Sequence, residues 1–174
     1  KTGKKIYYYG FNDNNDIFRF KFKEGQNYSV SENGLTASKT SEGTYWDCSI
    51  FGDKEIPKNR ISKLKIKLNE IGSYCYIIIG IGPQNPNNKI NFYQDCYSFF
   101  CYNSQKIIKS TSDSDYNGHA GQLKKGDIVE VIVDRKSGNL SFTVNDIDYG
   151  LAHSEIPKDV TLYPVVMLRD KGQK

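Results

Sequence analysis

Apolar residues recur at every second position along most of this chain, and that period decides what it can fold into. In "DIFRFKF", Phe18, Phe20 and Phe22 fall on one face, with Arg19 and Lys21 on the other. "ISKLKIKLN" sets Leu64, Ile66 and Leu68 against Lys63, Lys65 and Lys67. Successive side chains of a strand point to opposite sides, so such alternation marks half-buried strands of an antiparallel sheet. "YCYIIIGIG" is apolar on both faces and reads as a central strand. "DIVEVIVD", "NLSFTV" and "DYGLA" follow, joined by "RKSG" and "ND", short Gly- or Asn-containing hairpin turns. In "NLSFTV", Leu140, Phe142 and Val144 are expected to face inward, away from Ser141 and Thr143. "TLYPVVML" closes the series, its Pro164 near the start, where a missing N–H is tolerable. About a dozen strands and little helix are expected, an all-β sandwich of two packed antiparallel sheets. A length of 174 residues suits one domain with a sizeable core. The polar stretches 10–16, 82–91 and 110–118 read as long connections, where a compact β domain often places its function.

Composition and motifs exclude several function classes. The net charge of +4 comes almost wholly from Lys, interspersed with Asp and Glu. A nucleic-acid or membrane binder concentrates its basic residues, so neither partner is expected. No run approaches the roughly twenty apolar residues of a membrane span. "KTGKK" leads into Tyr and Asn and has no apolar core of a secretion signal, so an intracellular, cytoplasmic place is expected. The start without Met suggests a domain from a longer chain. The two histidines, His119 in "NGHAG" and His153 after "YGLA", read as a turn residue and an exposed edge residue, not as bases beside a nucleophile. Asp127, Glu130 and Asp134 are spaced as solvent-facing or turn residues, not as a glycosidase acid pair. No Gly-rich loop precedes a helix, so no phosphate cradle is expected. The chain is therefore read as a non-enzyme with no cofactor.

"SDSDYNGH", Ser112–His119, puts Asp113, Asp115, Asn117 and Gly118 at the first, third, fifth and sixth positions of a calcium loop. The twelfth position, which needs a bidentate Glu, holds Lys124, and neither flank reads as helix. An Asx-rich surface turn without calcium is the expectation. Among Cys48, Cys75, Cys96 and Cys101, only the last two approach zinc-ligand spacing. Cys48 and Cys75 sit in apolar strand contexts and read as buried free thiols, so no metal site is expected. Trp46 reads as core, because it shares a strand face with Cys48 and Ile50.

The ordered landmarks go further than a fold class. "GDIVEVIVDRKSGNLSFTVNDIDYGLAHSEIPKDVTLYPVVMLRDKG", Gly126–Gly172, resembles the core of the SPRY domain family. Upstream, "TYWDCSI" resembles the family's Tyr-Trp strand, "YIIIGIG" its central Gly-Ile-Gly strand, and "YSFFCYNSQKI" the strand pair before its long loop. The resemblance spans about Tyr28–Gly172. It implies a jelly-roll-like, concanavalin-like sandwich and a non-catalytic module that binds short peptides or protein surfaces. Such domains often sit in ubiquitin-ligase or scaffold chains. Residues 1–15 fall outside the resemblance and read as an extra strand or a linker. The family's partner groove implies contacts from Phe11–Asp16, Pro83–Tyr93 and the tail after "YPVV". On this chain these give Gln84, Asn85, Asn88, Tyr93, Arg169 and Asp170 as partner-binding residues. A lectin-like carbohydrate-binding module is the alternative, since sugar hydroxyls also suit Asn, Asp and Tyr.

Overall fold

A computed structural model describes residues 10–11, 18–21, 27–41, 48–72, 75–84, 96–101, 106–109, 112–116 and 123–174. Among these residues the regular structure is all strand. In chain order the strands are β1 (Gly10–Phe11), β2 (Tyr28–Val30), β3 (Ala37–Lys39), β4 (Ser49–Phe51), β5 (Ile61–Lys67), β6 (Ile77–Gly82) and β7 (Tyr97–Cys101). They continue as β8 (Lys106–Lys109), β9 (Ser112–Asp115), β10 (Ile128–Asp134), β11 (Asn139–Val144), β12 (Ile147–His153) and β13 (Tyr163–Leu168). One sheet has the order β1-β5-β10-β11-β12 and a second β4-β13-β6-β7-β8-β9; β2 and β3 form a separate two-stranded ribbon. Every pairing is antiparallel.

The period-two pattern builds the core directly. Leu64, Ile66 and Leu68 from β5 and its end, with Val129, Val131 and Val133 from β10, are buried. They share one cluster with Ile77, Ile79 and Ile81 of the opposite sheet. Leu140 and Phe142 are fully buried, as their alternation with Ser141 requires, and the Phe142 ring lies 5.5 Å from that of Phe99 across the sandwich. β6 is buried along its whole length because both its faces are covered. Ile78 joins Phe51, Val165 and Met167 in a second apolar cluster on the far side of its sheet. Gly80 lies where two backbones crowd. A Cβ there would stand 2.2 Å from the Tyr97 carbonyl oxygen and 2.6 Å from the Ser98 Cα.

The hairpin turns follow from their residues. Asn145 and Asp146 both take positive φ, as a type I′ turn needs. Asp127 clasps this hairpin. Its carboxylate accepts from the Lys124 N–H at 2.6 Å and from Asn145 Nδ2 at 2.9 Å, while Asn145 Oδ1 accepts from the Ile128 N–H at 3.0 Å. In the "DRKSG" turn, Asp134 accepts from the backbone of Lys136 and Ser137 and from the Ser137 hydroxyl. These bonds to the charged form hold its carboxyl below the usual range.

Two local expectations change. Ser112–Asp115 is strand β9, paired with β8 as Lys106↔Asp115 through Lys109↔Ser112, where the sequence reading has a turn. Ladder pairing on a neighbouring strand overrides the turn preference of Asp and Ser. The Phe18–Lys21 stretch keeps the predicted sidedness, with Phe18 and Phe20 buried and Arg19 and Lys21 exposed. It meets the sheet through a single bridge, Phe20↔Gly52, and is not a full strand.

Candidate partner-binding surface

The register of β6 and β13 decides which loops share an end of the sandwich. Tyr163 pairs with Gly82 and Leu168 with Ile77, so the chain leaving β6 and the chain leaving β13 emerge at opposite ends. The registered pairs between them span about 17 Å of strand. Gln84, exposed just beyond β6, is therefore separated from Arg169 and Asp170, which follow β13. The sequence reading grouped these residues in one groove, and antiparallel neighbours cannot bring both exits together. Asn85, Asn88 and Tyr93 and residues 12–16 lie outside the described residues, as do Trp46 and His119.

At the β13 exit, Arg169 is fixed by what lies beneath it. Its guanidinium carbon stands 3.8 Å from the centre of the Tyr76 ring, a cation–π stack. Asp170 Oδ1 is 4.0 Å from Arg169 Nε, and about a quarter to a third of each side chain is exposed. The tail that carries both turns back on a buried amide, Gln173. Its Oε1 accepts from the N–H groups of Arg169 at 2.8 Å and Asp170 at 2.9 Å, and its Nε2 donates to the Ile71 carbonyl at 3.0 Å. Backbone bonds from Gly172 to Lys39, from Lys39 to Gln173 and between Glu70 and Lys174 in both directions tie the tail to β3 and to the β5–β6 connection. A fully buried glutamine so near a chain's end carries no periodic signal, and sequence reasoning passed over it.

The opposite end carries an open groove lined by Arg19, Phe20, Asp53 and the β2–β3 tip Val30–Gly34. Arg19 Nη1 donates to the Asn33 carbonyl, and its backbone N–H donates to Asp53 Oδ1 at 2.7 Å. Nearby, Lys21 Nζ lies 5.7 Å from the centre of the Tyr163 ring. This groove shares its end with Gln84, because Gly52 donates to the Pro164 carbonyl at the start of β13.

Three polar residues that the sequence reading turned outward are buried, His153, Glu130 and Thr143, the last 7% exposed, and so is Arg135 of the "RKSG" turn. His153 is 2% exposed, its Nε2 3.1 Å from the Ser98 carbonyl and its ring edge-on to Tyr97. The register of the β11–β12 pairing turns it inward, which corrects the expected edge imidazole. Glu130 is 7% exposed, 3.7 Å from Lys65 Nζ and flanked by Lys65 and Thr143 on the neighbouring strands, which corrects its expected solvent-facing place. Arg135 has no exposed surface. Its Nη2 donates to the carbonyls of Pro157, Lys158 and Val160 at 2.7–3.0 Å, fastening that loop. Cys48, Cys75 and Cys96 are buried free thiols. Among the described residues no group of three His, Cys, Asp or Glu side chains could hold a metal ion, and no helix is long and apolar enough to cross a membrane.

This sandwich has known relatives. The SPRY domain family model matches residues 67–174. The structure of the SPRY domain of human HERC1 superimposes with a TM-score of 0.67 at 19% identity, covering 85% of this chain and 89% of that one. The TRIM65 PSpry domain gives a TM-score of 0.68 at 12% identity, covering 90% and 91%. A further human SPRY domain gives 0.61 at 15% identity, covering 88% and 92%. A comparison with curated proteins finds no match. With more than half of its length matched by the family model, on a sandwich shared with solved SPRY domains, the chain belongs to the SPRY domain family.

Proposed function

We propose that this domain takes a short peptide or protein surface through loops at one end of the sandwich, as the substrate-recognition part of a ubiquitin ligase or of a scaffold. SPRY domains are protein-interaction modules found in ubiquitin ligases, and they are generally non-catalytic. The observation that carries the reading is the seating of Arg169, stacked on Tyr76 over a tail pinned by Gln173. A side chain fixed before the partner arrives loses little freedom on binding, and Arg is a frequent hot-spot residue. Asp170 rims the same spot. A second reading places the partner at the other end, on Gln84, with Asn85, Asn88 and Tyr93, which follow it in the sequence, as further candidates. The open groove lined by Arg19, Asp53 and the β2–β3 tip at that same end favours it.

A peptide of a few residues reaches one end only, so substitutions separate the readings. The 174-residue chain is used to capture a partner from cell extract, and affinities are then measured for single variants. Arg169→Ala is expected to weaken binding by about 1–3 kcal/mol without lowering the melting temperature, while Gln84→Ala and Tyr93→Ala leave it unchanged. The reverse pattern assigns the partner to the Gln84 end. Loss confined to the turn variants Asp134→Ala and Lys136→Ala would remove both readings.

A further inference from the structure

We infer that the Arg169 end of the sandwich is a docking surface for an acidic peptide, with Arg169 as the residue that grips a carboxylate. This rests on the assignment of the Arg169 end above and names the chemistry of its partner.

Three segments meet there through backbone hydrogen bonds. Gly126 donates to the Leu68 carbonyl at 2.6 Å and Leu68 to the Asp127 carbonyl at 2.9 Å, joining the 124–127 turn to the exit of β5. Asn69 and Glu70 donate to the Lys174 carbonyl at 2.7 and 3.0 Å, joining that exit to the tail. The patch so formed carries six cationic side chains with exposed surface, Lys67, Lys124, Lys125, Arg169, Lys171 and Lys174. Its carboxylates are three, Glu70, Asp127 and Asp170, and each is already engaged. Glu70 pairs with Lys125, Asp127 holds Lys124 and Asn145, and Asp170 lies 4.0 Å from Arg169. The whole chain has a net charge of only +4, so these segments hold most of its excess.

Such a field draws in a negatively charged partner and raises its association rate. The choice of peptide over nucleic acid comes from Arg169. A guanidinium stacked on an aromatic ring presents its in-plane donors to a planar carboxylate; Arg169 Nε is buried beside Asp170, and the side chain keeps about a quarter of its surface exposed for a ligand. A nucleic-acid surface instead needs a row of aromatic rings for successive bases, and the described part of this patch offers Tyr76 alone.

The test is fluorescence anisotropy with a labelled octapeptide of aspartate, glutamate and glycine, beside the same peptide with asparagine and glutamine replacing the acids. The acidic peptide is expected to bind about tenfold tighter or more, and to weaken several-fold as salt rises from about 20 to about 200 mM. Arg169→Gln should cost about tenfold, and Arg169→Lys should recover only part, since an ammonium lacks the planar fork. Melting curves are taken to check that each variant is folded. Equal affinity for both peptides, lost together in Arg169→Gln, would overturn the acidic preference while leaving this end as the peptide site. Binding of neither peptide would overturn the inference, leaving the captured partner and Arg169→Ala to judge the binding end. Tighter binding of anionic lipid vesicles or of a DNA duplex than of the acidic peptide would overturn it in favour of a general polyanion surface.

Discussion

The phenol of Tyr116 supplies hydrogen bonds that two strands cannot give each other. The β11–β12 register shifts twice, between Leu140 and Ser141 and between Ser141 and Thr143. At that irregularity the Tyr116 hydroxyl accepts from the Phe142 N–H and donates to the Gly150 carbonyl. The residue is 2% exposed, and its ring packs edge-on to those of Phe99, Phe142 and Tyr149. Tyr116→Phe keeps the ring and orphans both backbone groups, so chemical denaturation should report a loss of about 1–3 kcal/mol. Burial pushes the Tyr116 pKa up to about 12 from 10.0. Between those pH values the unfolded chain gives up this proton and the folded chain keeps it, so stability falls as pH rises. The Phe variant should lose less stability than the parent across that window. At Phe142 the expectation is plainer. Truncation to Ala empties a fully buried site between the sheets and should cost about 3–5 kcal/mol, read as a lowered melting temperature. An unchanged melting temperature for Phe142→Ala would contradict the packing described for β11.

At the scale of elements, the "IIIGIG" strand shows how one small residue sets the spacing of a sheet. β7 passes so close to β6 at Gly80 that any side chain would strike main chain, which cannot move aside as a flexible side chain can. Gly80→Ala should therefore cost about 3 kcal/mol or more, at the upper end of overpacking effects, whereas a surface Ala substitution in β5 such as Lys63→Ala should be nearly neutral. A Gly80→Ala melting temperature equal to the parent's would mean that β6 and β7 are further apart than described. The Asp127–Asn145 clasp is a second device of this scale. The "GD" just before β10 and the "ND" that turns β11 into β12 are 18 residues apart in sequence and bonded in space. Asp127→Ala removes two hydrogen bonds and should cost about 1–2 kcal/mol. Hydrogen exchange should then quicken at the amides of Lys124 and Ile128 before the rest of the domain.

Across the whole molecule, the two ends of the sandwich are distinct surfaces, since β6 and β13 leave the sheet in opposite directions. Anisotropy with the acidic octapeptide should thus be unaffected by Gln84→Ala, and an effect equal to that of Arg169→Gln would mean that the ligand spans both ends. Much of this architecture was legible in the chain. Alternation in "ISKLKIKLN" sorted core from surface, and in "NLSFTV" it picked out the buried Leu140 and Phe142 although Thr143 is buried too, because strand geometry converts sequence parity into sidedness without reference to any partner strand. The continuous apolar run of "YIIIGIG" marked a strand covered on both faces, and the order of landmarks from "TYWDCSI" to "LYPVV" pointed to the SPRY family. Tertiary structure alone decided the burial of His153, Glu130 and Arg135, whose surroundings come from strands and loops distant in sequence. It also turned "SDSD" into an edge strand, where the ladder offered by β8 outweighs the turn preference of its residues. Above all it separated Gln84 from Arg169. Each follows its strand in the same way along the chain, but the two strands run in opposite directions, and direction is a property of the pairing that no single segment carries.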